Sequence, residues 1–394
     1  MKILFITTAV SSRKLTELFN KSRKNPGFAV QKYNKLIIEG YISNGVEIEV
    51  LSRIPLQVGK TTFGVETYKA EVENGVKYHI MPYLKNPFLY HIFQMIYSFC
   101  FVLCWSLKNR GNYIFGDVLC KSLVIGSIPA TKLTGTKSIG LVTDMPGMSS
   151  QVPNGYKQKK IGERLHYYFI SKYNGFVLIS PLSSKLINKQ NRPFMVMEGL
   201  VDHKFHTTDI QKNETIDFLY AGGLNEVYGI KMLTEAFMKL KEPNVRLIYY
   251  GDGPFVNELK QYASKDSRIE YRGVAINKDI VTAELKASFL VNPRPTRDEY
   301  TLYSFPSKNI EYMLSGTPVI TTKLAAMPKE YYDYVYTFDE ESIDGYYKTL
   351  CECLSISRSD TTNKGKNAQK FVISTRNNIV QTKRIISFIK SLKS

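Results

Sequence analysis

The sequence predicts an α/β protein made of two doubly wound parallel-sheet domains facing a cleft, and three observations carry that expectation. The chain has 394 residues, 43% of them apolar and 22% charged. That is too long for one ordinary core and suits two soluble domains of roughly 150–200 residues each. From Lys2 onward, strand-length apolar runs alternate with segments of helical period. Joined by right-handed crossovers, such runs pair in parallel. In the second half, glycines recur directly after successive strands, at Gly222/Gly223, Gly251/Gly253 and Gly273. Repetition at strand ends describes loops from one sheet edge that let backbone approach a ligand closely.

Taken in order, Lys2 to Thr8 is a strand ending in a Thr-Thr loop. Ser11 to Asn25 carries Arg13, Lys14, Lys21, Arg23 and Lys24 and is expected to be a mobile basic loop. Phe28 to Asn44 reads as a helix burying Val30, Tyr33, Leu36, Ile37 and Tyr41, stopped at Asn44-Gly45. Val46 to Leu51 alternates as a strand, and Lys77 to Pro82 is another. The most apolar segment, His91 to Leu107, is interrupted by Gln94 and Ser98 and is marginal in length for a membrane span, so a buried or interfacial helix is expected. Tyr113 to Asp117 is a strand and its exit. Val118 to Ala130 is a helical stretch closed by Pro129, and Ser138 to Thr143 is a buried strand.

Asp144 follows that strand. Ligands gather beyond the carboxyl ends of strands in open α/β sheets, which turns Asp144 toward the cleft. Asp also favours the turn before Pro146-Gly147, so both readings stand on the residues alone. Lys157, Lys159, Lys160, Arg164 and Lys172 surround the aromatic run Leu165 to Phe169. That pattern fits a membrane interface or a solvated helix with a buried aromatic face. Phe176 to Ile179 is a strand, a helix starts at Ser180-Pro181, Met195 to Asp202 closes the first domain, and His203 to Thr215 is the linker.

In the second domain, Ile216 to Tyr220 leads into Gly222-Gly223. Val245 to Tyr250 leads into Gly251, and Ile269 to Tyr271 into Gly273-Val274. Phe289 to Val291 feeds the segment Asn292 to Ile320, around which the rest is arranged. Pro293 and Pro295 keep its first part out of helix. Ser304-Phe305-Pro306-Ser307 then starts one, with Pro306 in the first turn and Ser304 as the cap. Ile310, Met313 and Leu314 are its apolar stripe, and Gly316 stops it. A helix start offers free N–H groups and a positive dipole end, which suits a diphosphate. Lys308 adds a point charge there, and Glu311, one turn on, is placed to accept from a ribose. Phe371 to Lys393 has Ile379, Ile385, Ile386 and Ile389 at helical spacing.

The run S-F-P-S-K-N-I-E-Y-M-L-S-G-T-P-V-I resembles the donor-site segment of family-four glycosyltransferases. Within them it is closest to the branch with FPSK before the helix, found among bacterial polysaccharide-assembly enzymes. The resemblance covers the second domain throughout and the first weakly. It implies the GT-B fold, two Rossmann-like domains. Residues 1–202 would be the acceptor side, 203–370 would bind the nucleotide-sugar donor, and a helix at 371–394 would pack back on the first domain. It also implies roles. Tyr271, Gly273 and Val274 lie against the base with Gly251 nearby, Gly222 and Gly223 face the phosphates, and Asp144 is an acceptor-side acid serving as general base. Two departures matter. Where the family's phosphate loop reads G-R-L-x-x-x-K-G, Gly223 and Tyr228 replace the two cations, leaving Ser307, Lys308 and Arg294 to hold the phosphates. In the paired-glutamate pattern E-x7-E, Glu311 fills the second place but Tyr303 the first, and Glu299 is the candidate substitute.

The expected activity is transfer of a hexose-type sugar, with retention, from a UDP-linked donor to a lipid-linked or oligosaccharide acceptor in cell-surface polysaccharide synthesis. The rival readings are a catalytically inactive subunit that binds a nucleotide sugar or a partner enzyme, and a nucleotide-sugar epimerase. Without an Asp-x-Asp clamp, the helix dipole and Lys308 are expected to replace a divalent ion, so no metal or other cofactor is expected. The net charge of +18 calls for an anionic partner or simply serves solubility. No helix-turn-helix, zinc-finger or RNP-type pattern points to nucleic acid, whereas an anionic membrane carrying a lipid-linked acceptor fits. The five cysteines are odd in number, lack metal-ligand spacing and read as reduced thiols. A first strand begins directly after Met1-Lys2, so no signal peptide is expected. The expected location is cytoplasmic, peripheral at the inner face of the plasma membrane.

Overall fold

The computed structural model describes residues 1–22, 27–55, 64–86, 89–147, 161–205 and 210–392. Arg23, Lys24, Lys157, Lys159, Lys160, Lys393 and part of the expected linker lie outside them. The chain forms two units, Met1–Leu200 with Asn378–Ser394, and Val201–Asn377. The division comes just before the expected Asp202. The return to the first unit begins at Asn378 rather than at 371, because Phe371 to Thr375 finish an earlier helix.

The first unit runs β1 (Lys2–Thr7), α1 (Ser12–Ser22), α2 (Phe28–Ser43), β2 (Glu47–Ser52), β3 (Val65–Glu66), β4 (Glu71–Glu73), β5 (Val76–Ile80) and β6 (Tyr83–Leu84). It continues with α3 (Tyr90–Lys108), β7 (Tyr113–Asp117), α4 (Lys121–Thr134), β8 (Lys137–Val142), α5 (Ile161–Ile170), β9 (Gly175–Leu178), α6 (Ser183–Ile187) and β10 (Phe194–Val196). Its sheet has the order β10-β9-β8-β7-β1-β2-β5-β4, parallel except for the β4 edge. β1, the first strand made, lies between β2 and β7. Ile3, Leu4, Phe5 and Ile6 are buried on both faces, as a central parallel strand requires.

Three expectations fail here for physical reasons. The basic stretch after Ser11 is a helix, because Leu15 and Leu18 pack with Val10, Ile54 and Ile80; Arg13 and Lys21 point outward, while Lys14 is buried and paired with Glu17. Val30 on α2 is 48% exposed, and Gln31, Asn34 and Ile38 join the expected Leu36, Ile37 and Tyr41 on the buried face. Pro129 sits inside α4 instead of ending it. Ile128, Ala130 and Thr131 are buried around the proline, and Gly135, at φ 68°, stops the helix.

The second unit contains β11 (Ile216–Ala221), α7 (Ile230–Met238), β12 (Val245–Tyr250), α8 (Val256–Lys265), β13 (Ile269–Tyr271), α9 (Asn277–Lys286) and β14 (Phe289–Asn292). α10 (Ser307–Ser315), β15 (Val319–Thr322), β16 (Tyr336–Phe338), α11 (Ile343–Ser355) and α12 (Arg358–Thr375) complete it. The sheet is wholly parallel, in the order β13-β12-β11-β14-β15-β16. The order reverses between β11 and β14, the switch point where doubly wound sheets take ligands.

The last helix, α13 (Asn378–Ser391), belongs to the first unit and lies on α2. A side chain at Gly40 would collide with the Asn378 carbonyl and Thr382, so only glycine permits this approach. Asn44 Nδ2 donates to Ile379 O at 2.9 Å, and Ile385, Ile386 and Ile389 enter the core. All five cysteines are free thiols.

Candidate functional site

The carboxyl ends of β11, β12 and β13 are tied loop to loop. Gly222 N donates to Tyr250 O and Gly251 N to Gly273 O, both at 2.9 Å. Gly251 has φ 131°, and a Cβ there would strike the Gly222 carbonyl. Tyr271 donates its hydroxyl to Gly251 O at 3.1 Å. Gly273, at φ 73°, turns the chain outward, and beyond it Val274 and Ile276 are 74% and 67% exposed. The glycine loops at residues 222–223, 251 and 273 therefore form one edge.

Helix α10 faces that edge. It begins at Ser307 with Pro306 at the N-cap, and no side chain caps it. The expected cap, Ser304, has its hydroxyl buried without a hydrogen-bond partner among the described residues. Pro306 itself holds the N-cap position, one residue earlier than expected, which leaves Ser304 two residues upstream of it. First-turn N–H groups of an α-helix have no intrahelical acceptor, so an uncapped start presents them with the positive dipole end. Asn309, fully buried, fixes the start by accepting from Asn292 Nδ2 at 2.6 Å and donating to Thr321 Oγ1 at 3.2 Å.

Lys308 reaches across to donate to the Ala221 carbonyl. It passes over Gly222, where any Cβ would collide with its Cε and Nζ. Tyr312, one turn on, receives the Ala221 N–H at 2.9 Å. The helix is thus pinned to the first glycine loop through the backbone of one residue, Ala221. Burial pushes the Lys308 pKa below its ordinary value. Glu311 and Glu284 pull it back up, and Arg294 adds to the lowering. A half-buried cation beside a second cation is poised to gain from an incoming anion.

Arg294 explains the replaced phosphate-loop residues. Its guanidinium lies 5.3 Å from the ring centre of Tyr228 and 5.5 Å from that of Tyr300. Tyr228 in turn approaches to 3.2 Å of where a Cβ on Gly223 would stand. The tyrosine fills the space above Gly223 and seats the arginine by cation–π contact. The loop carrying Arg294 is fixed from outside. Tyr346 donates to Pro293 O at 3.0 Å, and Thr296 N donates to both Glu341 carboxylate oxygens at 2.9 Å. Glu311 is exposed on α10, and Glu299 is exposed in a short 3-10 turn. The Glu299 carboxylate has no hydrogen bond or ion pair among the described residues, so no contact brings it to Lys308 or Glu311.

In the first unit, Asp144 is exposed just past β8, where its carboxylate accepts from Met145 N at 2.8 Å. Sequence reasoning missed Asp117, the last residue of β7. It is 5% exposed, accepts from Leu119 N at 2.9 Å and from the Cys120 thiol, and burial pushes its pKa up to about 6. An acid at a strand exit was visible in Gly116-Asp117, but its depth was not. A strongly shifted carboxyl at a strand end is a functional candidate. The raised pKa means that stability is fully present below about 3.8 and is lost as pH rises through about 6. Asp117→Asn is therefore expected to gain about 3 kcal/mol at pH 8 and almost nothing near pH 3.5, checked by urea denaturation at both. Among the described residues no three His, Cys, Asp or Glu side chains converge to hold a metal ion.

Two parallel doubly wound sheets with these strand-end loops make the fold GT-B, and solved structures show it over whole chains. The Anabaena protein Alr3699/HepE in complex with UDP superposes with a TM-score of 0.63 at 13% identity, covering 99% of this chain and 100% of that one. A glycosyltransferase from Rickettsia africae gives 0.65 at 15% identity, covering 100% and 98%. The lipopolysaccharide outer core galactosyltransferase WaaB in its apo form gives 0.62 at 17% identity, covering 99% of each. Residues 215–355 match the family described as glycosyl transferases group 1, a stretch that holds every donor-side residue above. No curated protein matches the chain.

Proposed function

We propose that the protein is a glycosyltransferase that moves a sugar from a nucleoside diphosphate, UDP, to a lipid-linked or saccharide acceptor in polysaccharide assembly. One observation carries the reading. Lys308, Arg294 and the uncapped start of α10 converge on glycine loops at the switch point, an arrangement suited to a diphosphate. The match of residues 215–355 and the UDP bound by Alr3699/HepE support it. The FPSK branch rests on Phe305 to Lys308 alone.

As the anomeric C–O bond breaks, its electron pair goes to the terminal phosphate oxygen of the donor, and the acceptor hydroxyl forms the new bond. The helix N–H groups, Lys308 and Arg294 are placed to stabilise that charge as it develops, the usual source of the largest catalytic term. Ser307 contributes the first of those N–H groups. Glu311 takes the ribose hydroxyls, and Glu299 is the candidate contact for the sugar. Tyr271, Gly273 and Val274 take the base. The acceptor proton falls to an acid of the first unit, Asp144 or Asp117. Retention and a hexose donor complete the reading.

Calorimetry tests the nucleotide, with heat expected for UDP and less for GDP and ADP. Mass detection of product from a panel of UDP-sugars with lipid-linked acceptors tests the transfer. With cations of its own at the diphosphate, the enzyme is expected to keep its turnover in excess EDTA. Loss of rate restored by Mg2+ or Mn2+ would refute that part.

A further inference from the structure

Helix α3 carries an apolar stripe on its outward face as well as apolar residues on the face packed against the sheet. Its inward face buries Gln94, Ser98 and Ser106 at 1%, 0% and 1% exposure. Its outward face carries Ile92, Ile96 and Leu107 at 53%, 59% and 50%, with Phe99 and Leu103 half-buried between them. These five positions fall on one stripe at helical spacing. The small inward residues have a use. Ser98 donates to Leu123 O at 3.1 Å, and Gly126 on α4 packs against the Met95 carbonyl with no room for a Cβ. They let α3 and α4 lie close together. Nothing in that packing accounts for the outward isoleucines and leucines. Leu133, 72% exposed on α4, extends the same kind of surface.

Charge along this part of the chain is one-sided. Between Glu73 and Asp144 the chain holds seven Lys and Arg and a single acid, Asp117, which is buried. Lys108, Arg110, Lys132 and Lys137 are exposed at the ends of the two helices. A second copy of the chain would bring the same cations to the same place, so self-association there is opposed. α3 is long and apolar enough to cross a membrane by length and composition. It is held in place, however. Val102 and Trp105 pack with Leu4, Ile6 and Ile114 beneath it, and Trp105 Nε1 donates to Glu49 at 3.3 Å.

We propose that the outward face of α3, with the basic ends of α3 and α4, docks the protein in the plane of an anionic lipid bilayer. Apolar side chains enter the boundary between headgroups and acyl chains, and the flanking lysines and arginine meet lipid phosphates. The inference rests on the proposed function only for the source of the lipid, the membrane that would hold a lipid-linked acceptor.

The full chain, without nucleotide, is sedimented with vesicles of phosphatidylglycerol and phosphatidylethanolamine and with vesicles of phosphatidylcholine alone. Binding is expected to the first, weakened by salt, and at least about tenfold less to the second. Ile92→Glu with Ile96→Glu is expected to lower binding to the anionic vesicles at least about tenfold, with circular dichroism and UDP affinity unchanged. Full vesicle binding by that variant would overturn the proposal, as would wild-type protein left in the supernatant. So would light scattering that shows a wild-type dimer split by the two glutamates. Vesicle binding is read without UDP, so failure here leaves the donor reading standing, and absence of UDP heat leaves this one.

Discussion

Lys308→Ala is expected to lower kcat about 10^2- to 10^3-fold, with a smaller effect on the KM for donor. The amine is fixed before substrate arrives, donating to Ala221 O through the gap that Gly222 leaves. Its pKa is lowered chiefly by burial, with Arg294 adding to the effect. An anion that gains charge as the glycosidic bond breaks relieves both, and more at the transition state than in the ground state. Lys308→Arg is expected to restore little, because the planar guanidinium is wider than the amine that threads past Gly222. Steady-state rates with donor and acceptor check both variants. Unchanged rates would remove Lys308 from the catalytic machinery, whereas UDP binding with no turnover by the wild type would favour an inactive nucleotide-binding subunit over an enzyme.

Gly251→Ala should be the most damaging single-atom change in the second unit. The new Cβ would meet the Gly222 carbonyl at a backbone φ of 131°, so relief requires the two glycine loops to part. The bond from Gly251 N to Gly273 O would be disturbed with them. A cost of about 3–5 kcal/mol and loss of UDP heat are expected. Gly273→Ala is the control. Its φ is 73°, but nothing lies within 4 Å of the added Cβ, so about 1 kcal/mol is expected. Urea denaturation and calorimetry on both variants separate collision from backbone preference.

These two sites also mark how far the sequence could be read. Glycines after strands are local signals, and the loops stand where spacing put them because strand ends in one parallel sheet share an edge. The start of α10 was readable for the same reason, since Pro306 and Gly316 bracket the helix by their own backbone preferences. What escaped depends on contacts distant in sequence. Tyr228 looked like a lost lysine, and only the fold shows it seating Arg294. Ser304 looked like a cap, yet Pro306 holds the N-cap position and no side chain caps the helix. Asp117 looked like a strand exit, because depth of burial is not written in local pattern. α1 was read as a loop because five cations hid the two leucines that fold it against Ile54 and Ile80.

The return of α13 to α2 has a consequence for biosynthesis. Residues 378–391 supply Ile385, Ile386 and Ile389 to the core of the unit whose first strand leaves the ribosome earliest. The later-translated unit, Val201–Asn377, is contiguous and complete before that helix emerges. The half begun first is therefore finished last, and nascent chains stalled before residue 378 would hold a closed second unit beside an unsealed first one.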